Sequence, residues 1–214
     1  LLLWLKGNIS PQEMRDCILD PESGWSTKVI QYLESIHCGE YNNGSQNDIN
    51  QMIKSASLHP NYQNLTETMP IPPPPLCGKH QSLQALPEEC ESCKTYRTWR
   101  QNYEFTVDNL ISKSNFHTCD YNKWGKCKAH FLWPLFKETV VDLNSGAIFM
   151  CKGEPWLNMF THVLTYILRC NTDITNLSFG TAIKATVLYI SDYITKASLK
   201  THVVFSCISS VFTK

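Results

Sequence analysis

Apolar positions fall at helical spacing over most of this chain and alternate in strand fashion at only a few places. Leu1-Leu2-Leu3-Trp4-Leu5 reads as a buried strand. Asn8-Ile9-Ser10-Pro11 then opens a helix: Ser10 is the cap, Pro11 takes the first helical position, where its missing N–H costs nothing, and Glu13 completes a capping box. Met14, Cys17 and Ile18, followed by Val29, Ile30, Leu33 and Ile36, predict two short helices broken at Asp20-Pro21. Tyr96, Trp99, Tyr103, Val107, Leu110 and Ile111 predict a helix over 94–113. Residues 140–150 read as two strands around a tight turn. Trp156, Phe160, Val163, Leu164 and Leu168 share one side of a helix over 155–169, with a turn and a short strand expected over 171–178. A long helical pattern runs from Thr181 to about Thr195, and another covers His202 to Phe212. The fold class is α+β.

The pattern breaks between Cys38 and about Ser92, where Asn, Gln, Ser and Pro dominate and Pro72 to Pro75 favour polyproline II. The expectation there is a disordered Asn/Pro-rich insert or linker that adds nothing to the core. The chain therefore divides into 1–37, 38–92 and 93–214. With 19 Lys+Arg against 19 Asp+Glu, the net charge is zero, which excludes a polycation that holds nucleic acid by bulk charge. The cancellation conceals an asymmetry. Residues 1–92 carry 5 basic and 11 acidic side chains, and residues 93–214 carry 14 and 8. Lys123, Lys126, Lys128, Lys184, Lys196 and Lys200 are candidate phosphate contacts in that basic half, with Trp124 and Trp133 available for base stacking.

The apolar start stops at Lys6 and lacks the make-up of an export signal, and the apolar run 156–168 is too short to span a membrane. These features predict a soluble, intracellular protein without a membrane partner. A start at Leu in the middle of a strand predicts a fragment.

Ten cysteines invite a metal reading. Cys90-x2-Cys93 supplies two thiolates from one tight turn, and His117-x-Cys119 with Cys127 supplies further donors. A structural zinc site would draw its second pair from His117 or Cys119 together with Cys127, although a helix lies between the pairs. The alternative is a set of unliganded thiols, some of them simply buried.

On a helix, Tyr189 and Tyr193 stand at i and i+4 on one face, and Lys196 lies three residues beyond. Such a pattern suits an amphipathic helix with two half-buried tyrosines and a surface lysine. It also suits chemistry. A phenol can attack phosphorus to give a phosphotyrosine bond, provided a metal or cation stabilises the phenolate, and a lysine can hold the phosphate.

With those residues in view, the chain resembles the Rep, or HUH endonuclease, portion of Helitron rolling-circle transposases, especially the fungal Helitron helicase-like proteins. The match is carried by Leu3-Trp4-Leu5-Lys6-Gly7-Asn8 with Ser10-Pro11-Gln12-Glu13-Met14-Arg15-Asp16. It continues in Ser114-Asn115-Phe116-His117-Thr118-Cys119 with Gly125-Lys126-Cys127-Lys128-Ala129. Leu168-Arg169-Cys170-Asn171-Thr172-Asp173-Ile174, Gly180-Thr181-Ala182-Ile183-Lys184-Ala185 and finally Tyr189-x3-Tyr193-x2-Lys196 follow in the family's order.

The resemblance implies a partial HUH/Rep-type antiparallel sheet with flanking helices. It implies an enzyme that nicks and rejoins single-stranded DNA at transposon ends, with Tyr189 and Tyr193 as nucleophiles and Lys196 positioning the phosphate. It further implies Mg²⁺ or Mn²⁺ held by a paired-histidine motif, a helicase domain on the same polypeptide and, in a functional protein, a nuclear location. The chain departs from the family in holding no His-x-His, and in carrying His130, Leu132 and Trp133 where relatives favour Arg, Pro and Arg. The expectation is an incomplete or decayed copy, inactive alone. The alternative is a non-catalytic nucleic-acid-binding or scaffold module with a structural zinc site.

Overall fold

The sequence signals for helix starts act as expected. In the computed structural model, which describes residues 10–78, 90–119, 127, 131–174, 187, 188, 190 and 191, helix α1 spans Pro11–Leu19. The Ser10 hydroxyl accepts from the Glu13 N–H at 3.2 Å, and the Glu13 carboxylate accepts from the Ser10 N–H at 2.7 Å. Both hydrogen bonds of the capping box are therefore made. Asp20 ends α1, Pro21–Ser23 forms one 3₁₀ turn, and Gly24 at φ 60° supplies the left-handed residue before α2, Trp25–Ile36. The predicted break at Asp20-Pro21 is the observed one.

The chain forms two units. The first comprises Leu1–Ser26, Leu143–Ala147 and Leu177–Lys214. Within it, Ile18 is buried and Arg15 donates from Nη2 to the Asn144 carbonyl at 3.1 Å. The expected strand 1–5, the helix over 202–212 and the Lys184 and Lys200 positions lie outside the described residues. So do Tyr189, Tyr193 and Lys196. Val187, Leu188, Ile190 and Ser191 are helical, as the pattern from Thr181 onward predicts.

The second unit, Thr27–Asp142 with Ile148–Asn176, is organised around α4, Glu91–Ser114. Apolar spacing predicted this helix, and the structure extends it by a few residues at its start. Its C-terminal half is enclosed: Thr106 to Ile111 are six consecutive buried residues, so neighbours cover every side of that stretch. Val107 and Ile111 pack with Tyr41, Ile49, Leu157, Phe160 and Tyr166 in one core cluster. Burying each of the larger apolar side chains contributes roughly 1.5–3 kcal/mol relative to exposure.

Two of those core residues correct the view of 38–92 as a disordered insert. Ser45 caps a further helix, α3, over Gln46–Ser57, and its Ile49 is fully buried. Tyr41 lies in the same core. The loop before α3 is tied to the central helix by the buried Asp108 carboxylate, which accepts from the backbone and side-chain N–H groups of both Asn42 and Asn43 at 2.8–3.0 Å. Asn-rich composition here encodes a carboxylate-binding loop.

The proline-rich stretch is also docked. Tyr96, Trp99 and Tyr103 line one face of α4, with ring centroids 5.7 and 5.3 Å apart, and Tyr103 continues to Tyr166 at 4.7 Å. Against this aromatic ladder, Trp99 Nε1 donates to the Ile71 carbonyl at 3.0 Å and the Tyr166 hydroxyl accepts from the Ile71 N–H at 3.1 Å. The segment is held within its own chain.

The predicted hairpin is present as β1, Val140–Val141, and β2, Ile148–Phe149, antiparallel with Val140 opposite Phe149. Helix α5 is shorter than predicted, spanning His162–Leu168 instead of 155–169. The apolar residues before it serve extended pairing: Leu157 bridges to Phe116 and Phe160 to Cys38, both antiparallel. Period alone could not distinguish this from helix, since both residues point into the core. Residues 171–174 form no strand. The described fold is α+β, helices with one small two-stranded antiparallel sheet. Among the described residues, no helix is long and apolar enough to cross a membrane.

Candidate metal centres

The single zinc site expected to join Cys90 and Cys93 with a second pair, His117 or Cys119 together with Cys127, does not form as such. The helix between the two Cys/His blocks prevents it. At about 1.5 Å per residue, the 24 residues of α4 rise about 36 Å, with Cys90 and Cys93 at its start and His117 beyond its end. The donors instead gather in two groups. One contains Cys77, Cys90 and Cys93, the other His117, Cys119 and Cys127, and within each group all ligand atoms lie within 4.8 Å of one another. Thiolate and imidazole donors so grouped could hold a metal ion such as zinc. They do not suit Mg²⁺ or Mn²⁺, which favour oxygen ligands.

The first group is built by the opening turn of α4. Cys90 is the N-cap residue and Cys93 lies three residues on, so both thiols share the side of that turn where Cys77 arrives, with its Sγ 3.7 Å from that of Cys90. The Cys93 backbone N–H, and then the Cys93 and Cys77 side chains, lower the Cys90 thiol pKa below its ordinary value. Burial, followed by hydrogen bonding to Cys90 and the charges of its thiol neighbours, raises that of Cys93. Ionising one thiol here opposes ionising the next, and a divalent cation relieves that conflict. Sequence reasoning missed Cys77. Its signal was a third cysteine at the end of the proline run, set aside because that region was read as unstructured.

The second group sits just after α4. The His117 backbone N–H donates to the Trp156 carbonyl at 2.8 Å, and its ring stacks on Phe131 at 4.1 Å between centroids. Cys127 Sγ lies 3.2 Å from His117 Nε2. Trp156 stacks in parallel 6.4 Å from both rings, and Trp133 meets Phe131 edge-on. The imidazole is thus oriented by aromatic packing, leaving Nε2 directed at a thiol.

Other thiols fit the plainer reading. Cys38 donates to the Glu40 carbonyl and Cys151 to that of Lys137, and burial raises the pKa of both. No disulfide occurs among the described cysteines. Of the predicted DNA contacts, Lys123, Lys126, Lys128, Lys184 and Lys200 lie outside the described residues, as do the predicted catalytic Tyr189, Tyr193 and Lys196. Trp133 is described and exposed. No family model matches the chain, and no curated protein or solved structure matches it either.

Proposed function

We propose that this chain is part of a Helitron-type Rep domain, a metal-stabilised module that engages single-stranded DNA. The observation that carries the reading is the behaviour of one block. His117-Thr118-Cys119 with Cys127 belongs to the stretch that resembles the family, and the same three donors assemble at one point after α4. The i, i+4 spacing of Tyr189 and Tyr193, with Lys196 beyond, is the part of the sequence that matches the family's tyrosine motif. In this reading, one tyrosine hydroxyl attacks the scissile phosphorus, a 5′-phosphotyrosine bond forms and the 3′ oxygen leaves with a proton. The second tyrosine serves strand transfer and Lys196 holds the phosphate. An HUH-type sheet belongs to the same proposal.

A paired-histidine site for Mg²⁺ or Mn²⁺ has no counterpart in these 214 residues, which contain no His-x-His. The chain by itself is therefore expected to bind single-stranded DNA without cutting it. The test is a labelled oligonucleotide incubated with the chain and Mn²⁺, resolved for both bound and cleaved species. Cleavage lost on Tyr189→Phe would contradict the inactivity, and absence of binding at low salt would contradict the reading itself. The two metal-donor groups also favour a second reading, a zinc-bearing nucleic-acid-binding or scaffold module without tyrosine chemistry.

A further inference from the structure

Two features meet at the start of α4 that the DNA reading does not use. The first is the geometry of three thiols. Around a zinc ion with Zn–S bonds of about 2.3 Å, tetrahedral angles set neighbouring sulfurs about 3.8 Å apart. Cys77 Sγ and Cys90 Sγ are 3.7 Å apart, and Cys93 Sγ lies within 4.8 Å of both. A disulfide would require about 2.05 Å. The second feature is the proline-rich segment itself. It is fixed at Ile71 by Trp99 and Tyr166, and six residues later it delivers Cys77 to the thiol group.

We propose that Cys77, Cys90 and Cys93 bind a structural zinc ion that fastens the proline-rich segment to the first turn of α4. Thiolate donors select zinc over the hard cations of phosphoryl chemistry, so this site is separate in kind from any Mg²⁺ or Mn²⁺ centre. On binding, the three thiols release their protons to solvent. The metal anchors the far end of a strap whose near end rests on the aromatic ladder. None of this depends on DNA being the partner.

The experiment uses the 214-residue chain with Cys119→Ser and Cys127→Ser, so that the other donor group is silent. Atomic emission should find one zinc per chain. Cys77→Ser should weaken zinc retention against a chelator by at least about 100-fold, more than typical losses from residues that merely orient ligands. In the cobalt-substituted protein Cys77→Ser should lower thiolate charge-transfer absorption by about one third, as three thiolates become two. Circular dichroism on each variant separates loss of metal from loss of fold. Chelation should also open the chain near Ile71–Cys77 to limited proteolysis. Zinc retention unchanged by Cys77→Ser overturns the site.

Discussion

Replacing Asp108 by Asn tests whether the Asn-rich stretch is part of the folded unit. Asp108 is fully buried in α4. Its Oδ1 accepts from Asn42 N and Nδ2, both at 2.9 Å, and its Oδ2 from Asn43 N and Nδ2 at 3.0 and 2.8 Å. Asparagine has nearly the same shape but only one acceptor oxygen. Its amide nitrogen would face two N–H donors, removing two charge-assisted hydrogen bonds worth roughly 1.5–3 kcal/mol each. Asn43 is exposed, so its side-chain amide can turn to water and recover part of that loss. The expected destabilisation is about 2–4 kcal/mol. With a urea dependence of about 2 kcal/mol per M, the unfolding midpoint should fall by on the order of 1–2 M at unchanged slope. A loss below about 0.5 kcal/mol would mean that the 38–57 region does not depend on this carboxylate, and the reasoning would fail.

Further outcomes follow from the same structure. Burial holds the His162 ring below its ordinary pKa of 6.5, against Asp108 and Glu104, which favour its charged form, while its Nε2 lies 2.9 Å from Asn42 Oδ1. The folded state then binds that proton less readily than the unfolded chain. Its contribution is full above 6.5 and is lost as pH falls through the folded-state value. His162→Gln should flatten the stability profile below pH 6.5, and an unchanged profile would refute this. Cys127→Ser should remove the zinc associated with His117 and Cys119 while leaving that bound by Cys77, Cys90 and Cys93. Simultaneous loss of both metals would contradict two separate groups.

Local chemistry was the most legible part of the sequence. The Ser10/Glu13 capping box, the break at Asp20-Pro21, the central helix and the hairpin at 140–150 each depend on a few neighbouring residues. The sequence therefore contains their cause in full. Long-range partners were less legible. Nothing local marks Asn42 and Asn43 as donors to a carboxylate 66 and 65 positions away. Nor does local spacing tell that Leu157 and Phe160 pair with Phe116 and Cys38 outside a helix. The metal reading shows both sides. Residue types and the Cys90-x2-Cys93 spacing identified true neighbours, whereas the rigid length of α4 split the rest into a second group. Cys77 was missed because a proline-rich composition was equated with disorder, although the aromatic face of α4 supplies a docking surface for it.

The proposed partner is single-stranded DNA, bound by lysines of the basic half, and the salt dependence of binding decides between this proposal and its alternatives. Fluorescence anisotropy of a labelled oligonucleotide should show saturable binding to the zinc-loaded chain, with log affinity falling linearly against log salt concentration. Changing Lys123, Lys126 and Lys128 together to Gln should reduce that slope by about 2, since each neutralised phosphate of a single strand contributes about 0.7. Circular dichroism must show that fold is retained. Binding that is absent at low salt, or whose slope is unmoved by the triple substitution, would contradict the account.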